Sequence, residues 1–168
     1  MILGFKTKIN GNPTYFVEKI VKGLKETGIA KKDDKTINDA VCYNFLNAEI
    51  YSVVLPKFHT IREDKKGRWK PGTMIDFYIN TRTKDMFGFA PRVPVLSIQK
   101  ITMSYAWNDI INIWINGREL SPSERLELAL NDGFDSWKDF FEFFYPVIKS
   151  TEDNFWKGKL IHWTDKKY

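Results

Sequence analysis

Apolar and polar residues alternate over Thr73–Asn80, with Ile75, Phe77 and Ile79 on one side and Asp76, Tyr78 and Asn80 on the other. That period of two predicts a half-buried strand. Upstream the period changes. Residues 2–8 (ILGFKTK) read as a short strand, after which Val17, Ile20, Val21 and Leu24 recur at helical spacing. Asn12 is the expected N-cap of that helix, with Pro13 in its first position. Lys25–Lys35 is polar, with Gly28 and a KKDDK tract, and predicts a loop. Asn38 is the expected cap of a second helix that carries Val41, Phe45 and Leu46 inward. Tyr51–Leu55 fits a helical continuation or a strand equally well.

Downstream of Pro56 the pattern is mainly β. Val95–Ser104 and Ile110–Ile115 predict strands, and Asn116-Gly117 is a hairpin turn signal. Ser121-Pro122-Ser123-Glu124 has the form of a capping box with proline at the first helical position. The helix it opens should present Leu126, Ala129 and Leu130 inward and stop at Gly133. Ser136 caps a further helix, with Trp137, Phe140, Phe141 and Phe144 on one face and Pro146 near its end. Helical spacing favours core packing for that stripe over a base-stacking platform. A last strand is expected over Lys159–Trp163. Short strands with a few helices indicate an α+β fold on a small sheet or barrel, and 168 residues fit one domain, 1–168.

Composition adds sign and compartment. Cys42 stands alone, so the chain has no internal disulfide or thiolate cluster. The absence of a signal-peptide pattern and of a membrane-length apolar run predicts a soluble, cytoplasmic protein that does not engage membranes. The net charge of +5 is uneven: residues 1–100 hold 18 basic and 10 acidic side chains, residues 101–168 hold 8 and 11. A basic face toward a polyanion and a merely solvated lysine-rich surface both fit that split.

The charge peaks between Pro56 and Gly72, where Lys57, Arg62, Lys65, Lys66, Arg68 and Lys70 face only Glu63 and Asp64. Thr60 and Arg62 share one strand face, and Lys57 joins them only if the chain bends near Phe58. Two readings follow. Arg62 and Lys57 hold a phosphate while Thr60 donates a hydrogen bond, or a lysine of depressed pKa activates the Thr60 hydroxyl as a nucleophile. Asp132 is the second anomaly, because a carboxylate at a helix C-terminus opposes the macrodipole. A catalytic role and a salt bridge to a lysine both account for it. His59 and His162 lack the spaced partners of a metal site, and no P-loop, GxGxxG or GxSxG pattern is present.

Lys57-Phe58-His59-Thr60-Ile61-Arg62, Lys70-Pro71-Gly72, Val95–Thr102 and Leu128-Ala129-Leu130-Asn131-Asp132-Gly133-Phe134 together resemble the ASCH superfamily. The resemblance covers about residues 57–163 and extends to a C-terminus, Leu160–Asp165, like that of small bacterial and phage members. It implies a PUA-like β-barrel with flanking helices, here with a helical insertion at about 25–55. It also implies an RNA or nucleotide partner held in a basic cleft, with no metal or other cofactor. One bacterial branch hydrolyses N4-acetylcytidine. Carried over, its functional set falls on Lys57 (activator or base), Thr60 (nucleophile) and Asp132 (proton donor to the leaving amine), with Arg62 supporting the pocket. The family's glutamate is an aspartate here, which withdraws the acid by about one methylene; a displacement of ~1 Å costs on the order of a hundredfold. A ribonuclease using the same cluster is the other enzymatic reading. Lys65, Lys66, Arg68, Lys70 and Arg82 are the expected ligand-binding residues around Arg62.

Overall fold

The computed structural model describes residues 1–31, 33–106 and 110–168. The fold is mixed α+β, with five helices and several sheets among the described residues. Strand β1 (Ile2–Phe5) comes first, followed by a hairpin of β2 (Lys8–Ile9) and β3 (Asn12–Pro13). The hairpin turns on Asn10 and Gly11, both at positive φ (50° and 84°), as an Asn-Gly turn requires. It withdraws Asn12 and Pro13 from the helix start expected of them. Helix α1 (Phe16–Glu26) begins instead after Tyr15, which is left-handed and provides no side-chain cap. Its inward face is the expected one, with Val17, Ile20, Val21 and Leu24 buried.

Helix α2 (Lys35–Cys42) is capped by Asp34, not Asn38; the Asp34 carboxylate accepts the Thr36 and Ile37 N–H groups. The helix thus starts four residues earlier than expected. Ile37 and Ala40 face the core, and Val41 is exposed rather than inward. Helix α3 (Ala48–Val53), capped by Asn47, takes Tyr51–Val53 of the ambiguous Tyr51–Leu55 segment as helix and ends before Val54 and Leu55.

Strands β4 (His59–Arg62), β5 (Met74–Ile79), β6 (Phe87–Gly88), β7 (Val93–Pro94), β8 (Ser97–Ala106), β9 (Ile110–Ile115) and β10 (Arg118–Glu119) follow. Asn116 and Gly117 turn β9 into β10 at positive φ, as their dipeptide predicts. Helix α4 (Pro122–Asn131) has the full capping box, and Gly133 beyond its end sits at φ 89°. Its inward residues are Leu128 and Ala129; Leu126, expected inside, is exposed. Helix α5 (Trp137–Lys149) runs past Pro146 instead of ending there, because Ile148 beyond the proline is fully buried and packing holds the last turn in place. Strand β11 (Phe155–His162) begins four residues earlier than its hydrophobic pattern indicates.

One sheet has the order β1-β5-β6, with β7 also on β5; another has the order β10-β9-β8-β11-β4. The chain crosses between them at Val95 and Leu96. Val95 N–H donates to Thr73 O, and Leu96 N–H donates to His162 O, each at 2.8 Å. The two sheets approach again at their far edges, where Arg62 of β4 donates from Nη2 to Gly4 O of β1 at 2.9 Å. One core gathers Ile20, Phe77, Phe89 and Trp163. A second gathers Met103, Ile113, Phe140 and Leu160 under α4 and α5.

Candidate functional site

The helix that ends at Asn131 delivers Asp132 directly to the chain entering β4. Lys57 Nζ lies 2.7 Å from Asp132 Oδ1 and also donates to the Asp132 carbonyl. The same carboxylate oxygen accepts the Ile61 N–H at 3.1 Å. Phe58 N–H donates to Asn131 O and Lys57 N–H to Lys19 O, so the bend expected near Phe58 is held from both sides. The misplaced charge at the helix terminus thus has a partner: the Lys57 ammonium offsets the macrodipole at short range.

This pair is sealed, with Lys57 1% and Asp132 4% exposed. Burial pushes the Lys57 ammonium down to about 8, and the Asp132 charge only partly restores it. Burial works against the Asp132 anion as well, but Lys57 and His59 hold its carboxyl below the usual range. His59 lies on the same side of β4, its Nδ1 3.6 Å from Asp132 Oδ1, too far for a hydrogen bond. Thr60 points to the opposite face and is also buried. Among the described residues its hydroxyl makes no hydrogen bond to Lys57 or Asp132. The structure therefore brings Lys57 and Asp132 together and leaves Thr60 outside their contact.

Arg62 shares the Thr60 face. Its guanidinium lies over the Phe5 ring, 5.2 Å from the centroid, and its Nε is buried without a hydrogen-bond partner. Burial lowers its pKa, and the Asp132 charge counters part of that. The side chain lies in the wall of a groove of about 830 Å³ between the facing edges of β1 and β4, together with Arg68, Trp69 and Arg82. Of the six arginines in the chain, Arg92, Arg118 and Arg125 pair with carboxylates. Arg62, Arg68 and Arg82 form no ion pair among the described residues, and all three face this groove. Lys65, Lys66 and Lys70 are exposed on the neighbouring loop and do not line it; Lys65 pairs with Glu63.

The loop owes its shape to Asp64, whose carboxylate accepts the Arg68 and Trp69 N–H groups at 2.9 Å and the Lys159 ammonium at 2.8 Å. Burial alone would raise the Asp64 carboxyl; the Lys159 and backbone hydrogen bonds hold it down to about 2. Sequence reasoning passed over Asp64 as one of two acids in a basic run. An Asp four residues ahead of Arg68, with Gly67 between, was the available sign of a side-chain-stabilised turn.

Two further polar groups went unnoticed. Lys19 is 1% exposed and donates to Gly133 O and Asp135 Oδ1 at 2.8 and 2.7 Å. Tyr168 bonds His59 Nε2 through its hydroxyl at 2.9 Å, and that hydroxyl also accepts from Asn131 Nδ2. Neither position carries a periodicity or spacing that announces such contacts. Among the described residues no group of three His, Cys, Asp or Glu side chains is arranged to hold a metal ion, and no helix is long and apolar enough to cross a membrane.

Comparison with protein-family models, curated proteins and solved structures gives no match for this chain.

Proposed function

We propose that this chain is an ASCH-type, PUA-like domain that binds single-stranded RNA or a nucleotide in the groove between β1 and β4. The observation that carries this reading is the convergence of Arg62, Arg68 and Arg82, unpaired among the described residues, on one groove of about 830 Å³. An arginine without a carboxylate partner keeps its charge and its forked donors available for a phosphate. Asp64 fixes the loop bearing Arg68 before any ligand arrives, which lowers the ordering cost of binding. The two sheets, joined through the Val95 crossover and bridged again by Arg62, support the PUA-like part of this reading.

The test is fluorescence anisotropy of a short labelled oligouridylate titrated with the protein over a series of salt concentrations. Binding should weaken with salt, log affinity falling by ~0.7 per phosphate contact per decade. No binding at low salt would reject the reading.

A second reading, amidohydrolysis of an N4-acetylcytidine-like nucleoside, is favoured by one observation: Lys57 lies against Asp132 with its ammonium lowered to about 8. In that reaction neutral Lys57 takes the proton of the attacking hydroxyl and returns it to the departing amine, while the ionised Asp132 carboxylate holds the lysine in place. It ranks second because Lys57, Thr60 and Asp132 are all nearly inaccessible to solvent. Incubation with N4-acetylcytidine, with Lys57→Ala as control, decides it; absence of cytidine release rejects it.

A further inference from the structure

The floor of the groove holds more than charge. In a parallel ladder, alternate residues of a strand bond to the partner strand and the others turn their peptide groups away. Asp76 N–H donates to Met1 O at 3.0 Å, and the register pairs Ile2 with Asp76 and Gly4 with Tyr78. Met1, Leu3 and Phe5 therefore use their peptide groups on β5, while those of Ile2 and Gly4 point to the other edge. That edge is where Arg62 takes up Gly4 O, and Ile2, Leu3 and Gly4 all line the groove. Three main-chain groups remain there in sequence: the Ile2 N–H, the Ile2 C=O and the Gly4 N–H. β1 ends its sheet, and no strand of the described residues pairs with it on this side.

A donor–acceptor–donor row on a strand edge has the chemistry to read the edge of a planar heterocycle, which itself presents alternating acceptors and donors. We infer that the β1 edge is the base-reading element of the groove: one unpaired nucleobase lies against the Ile2 and Gly4 peptide groups while Arg68 and Arg82 hold its flanking phosphates. The inference rests on the nucleic-acid reading of the groove given above. A base fits this edge better than an extended peptide does. The free row spans only Ile2 to Gly4, with Gly4 O already occupied by Arg62, so an added strand would gain too few ladder bonds to be held. Arg68 and Arg82, unpaired among the described residues, likewise complement phosphates placed on either side of a single base. Thr81 limits the slot on another flank: a Cβ at Gly4 would come within 2.8 Å of Thr81 Cγ2, so glycine allows Thr81 to sit this close to β1.

Backbone amide resonances of 15N-labelled protein, followed with three probes, test the inference without altering the chain. The probes are a short oligouridylate, a ribose-phosphate oligomer of the same length without bases, and a short poly-glutamate peptide. The expected result is that oligouridylate shifts and protects the Ile2 and Gly4 amides, whereas the abasic oligomer binds through the arginines and leaves both amides unchanged. Oligouridylate binding with no effect on either amide overturns the inference and leaves the groove reading intact. Equal effects from the abasic oligomer or from poly-glutamate also overturn it, assigning the edge to a sugar-phosphate chain or to a peptide strand. No binding of either oligomer at low salt would instead remove the groove reading on which the inference stands.

Discussion

Asp132 Oδ1 lies 2.7 Å from Lys57 Nζ, and both groups are nearly free of solvent. A pair of this kind costs desolvation on both sides and regains it through close geometry, so breaking it is worse than never having had it. Lys57→Met leaves the Asp132 carboxylate with the Ile61 N–H but no cation within bonding distance, and should destabilise the fold by about 3–5 kcal/mol. The double variant Lys57→Met/Asp132→Asn should recover part of that loss. Urea denaturation of the two variants measures the coupling; a double variant no more stable than Lys57→Met would contradict it.

Removing an acid from a basic loop should tighten a phosphate ligand if charge alone governs binding. Asp64→Ala is expected to do the opposite. It frees the Arg68 and Trp69 N–H groups and the Lys159 ammonium, so the loop loses its fixed shape. Affinity for oligouridylate should fall even though the net charge rises by one unit. Arg68→Ala together with Arg82→Ala should also weaken binding, but with stability unchanged within about 0.5 kcal/mol, since both side chains are exposed and unpaired among the described residues. Anisotropy and thermal unfolding of the same samples separate the two effects.

His162 predicts acid sensitivity. The ring is fully buried with both nitrogens unpartnered, and burial pushes its pKa from 6.5 down to about 3. Between those values the unfolded chain binds a proton that the folded chain does not, so stability rises with pH there. The contribution is therefore complete above about pH 6.5 and declines as pH falls toward about 3. His59, also lowered by burial, acts in the same direction. A His162→Phe variant should lose less melting temperature than the parent on acidification across this window. Parallel slopes for the two proteins would show that the buried imidazole is not the source.

Alanine normally replaces glycine inside a helix with a gain of ~1 kcal/mol. Gly23 in α1 should reverse that sign, because a Cβ there would lie 2.4 Å from the Lys57 carbonyl oxygen, a backbone atom held by its neighbours. Gly23→Ala is expected to destabilise by about 1–3 kcal/mol through overpacking. It also displaces Lys57 relative to Asp132. A higher urea midpoint than the parent would show that α1 has room to retreat.

Under the amidohydrolase reading, turnover of N4-acetylcytidine needs Lys57 neutral and should climb as pH passes about 8. A pH-independent rate would assign the base to another group.

Local rules identified the elements whose causes are local. The β5 alternation, the Asn116-Gly117 turn and the Ser121–Glu124 capping box all appear as read. Where a choice depended on one atom elsewhere, the reading slipped. Asn12 and Pro13 suit a helix start, but Thr14 N–H is taken by Thr7 O, which closes a hairpin across them. Val41 faces outward because the tertiary packing of its helix turns Ile37 and Ala40 to the core, a choice its own sequence does not announce. Lys57 and Asp132 each stand out on their own, one in the basic run and one against the helix macrodipole, yet their contact spans 75 positions and has no local signature. The basic run showed the sign of the groove but not its lining. Arg62, Arg68 and Arg82 enter it, while three equally charged lysines stay on the outer loop.

Strand β11 sits between β8 and β4 in the five-stranded sheet, although it follows both in sequence. A ribosome making this protein must therefore release residues 155–162 before β4 acquires its ladder partner. Until then Arg62 belongs to an unpaired strand, and the long sequence separations of the remaining contacts slow the final assembly. The nascent chain thus carries its basic residues well before β4 is held in the ladder that sets one wall of the groove.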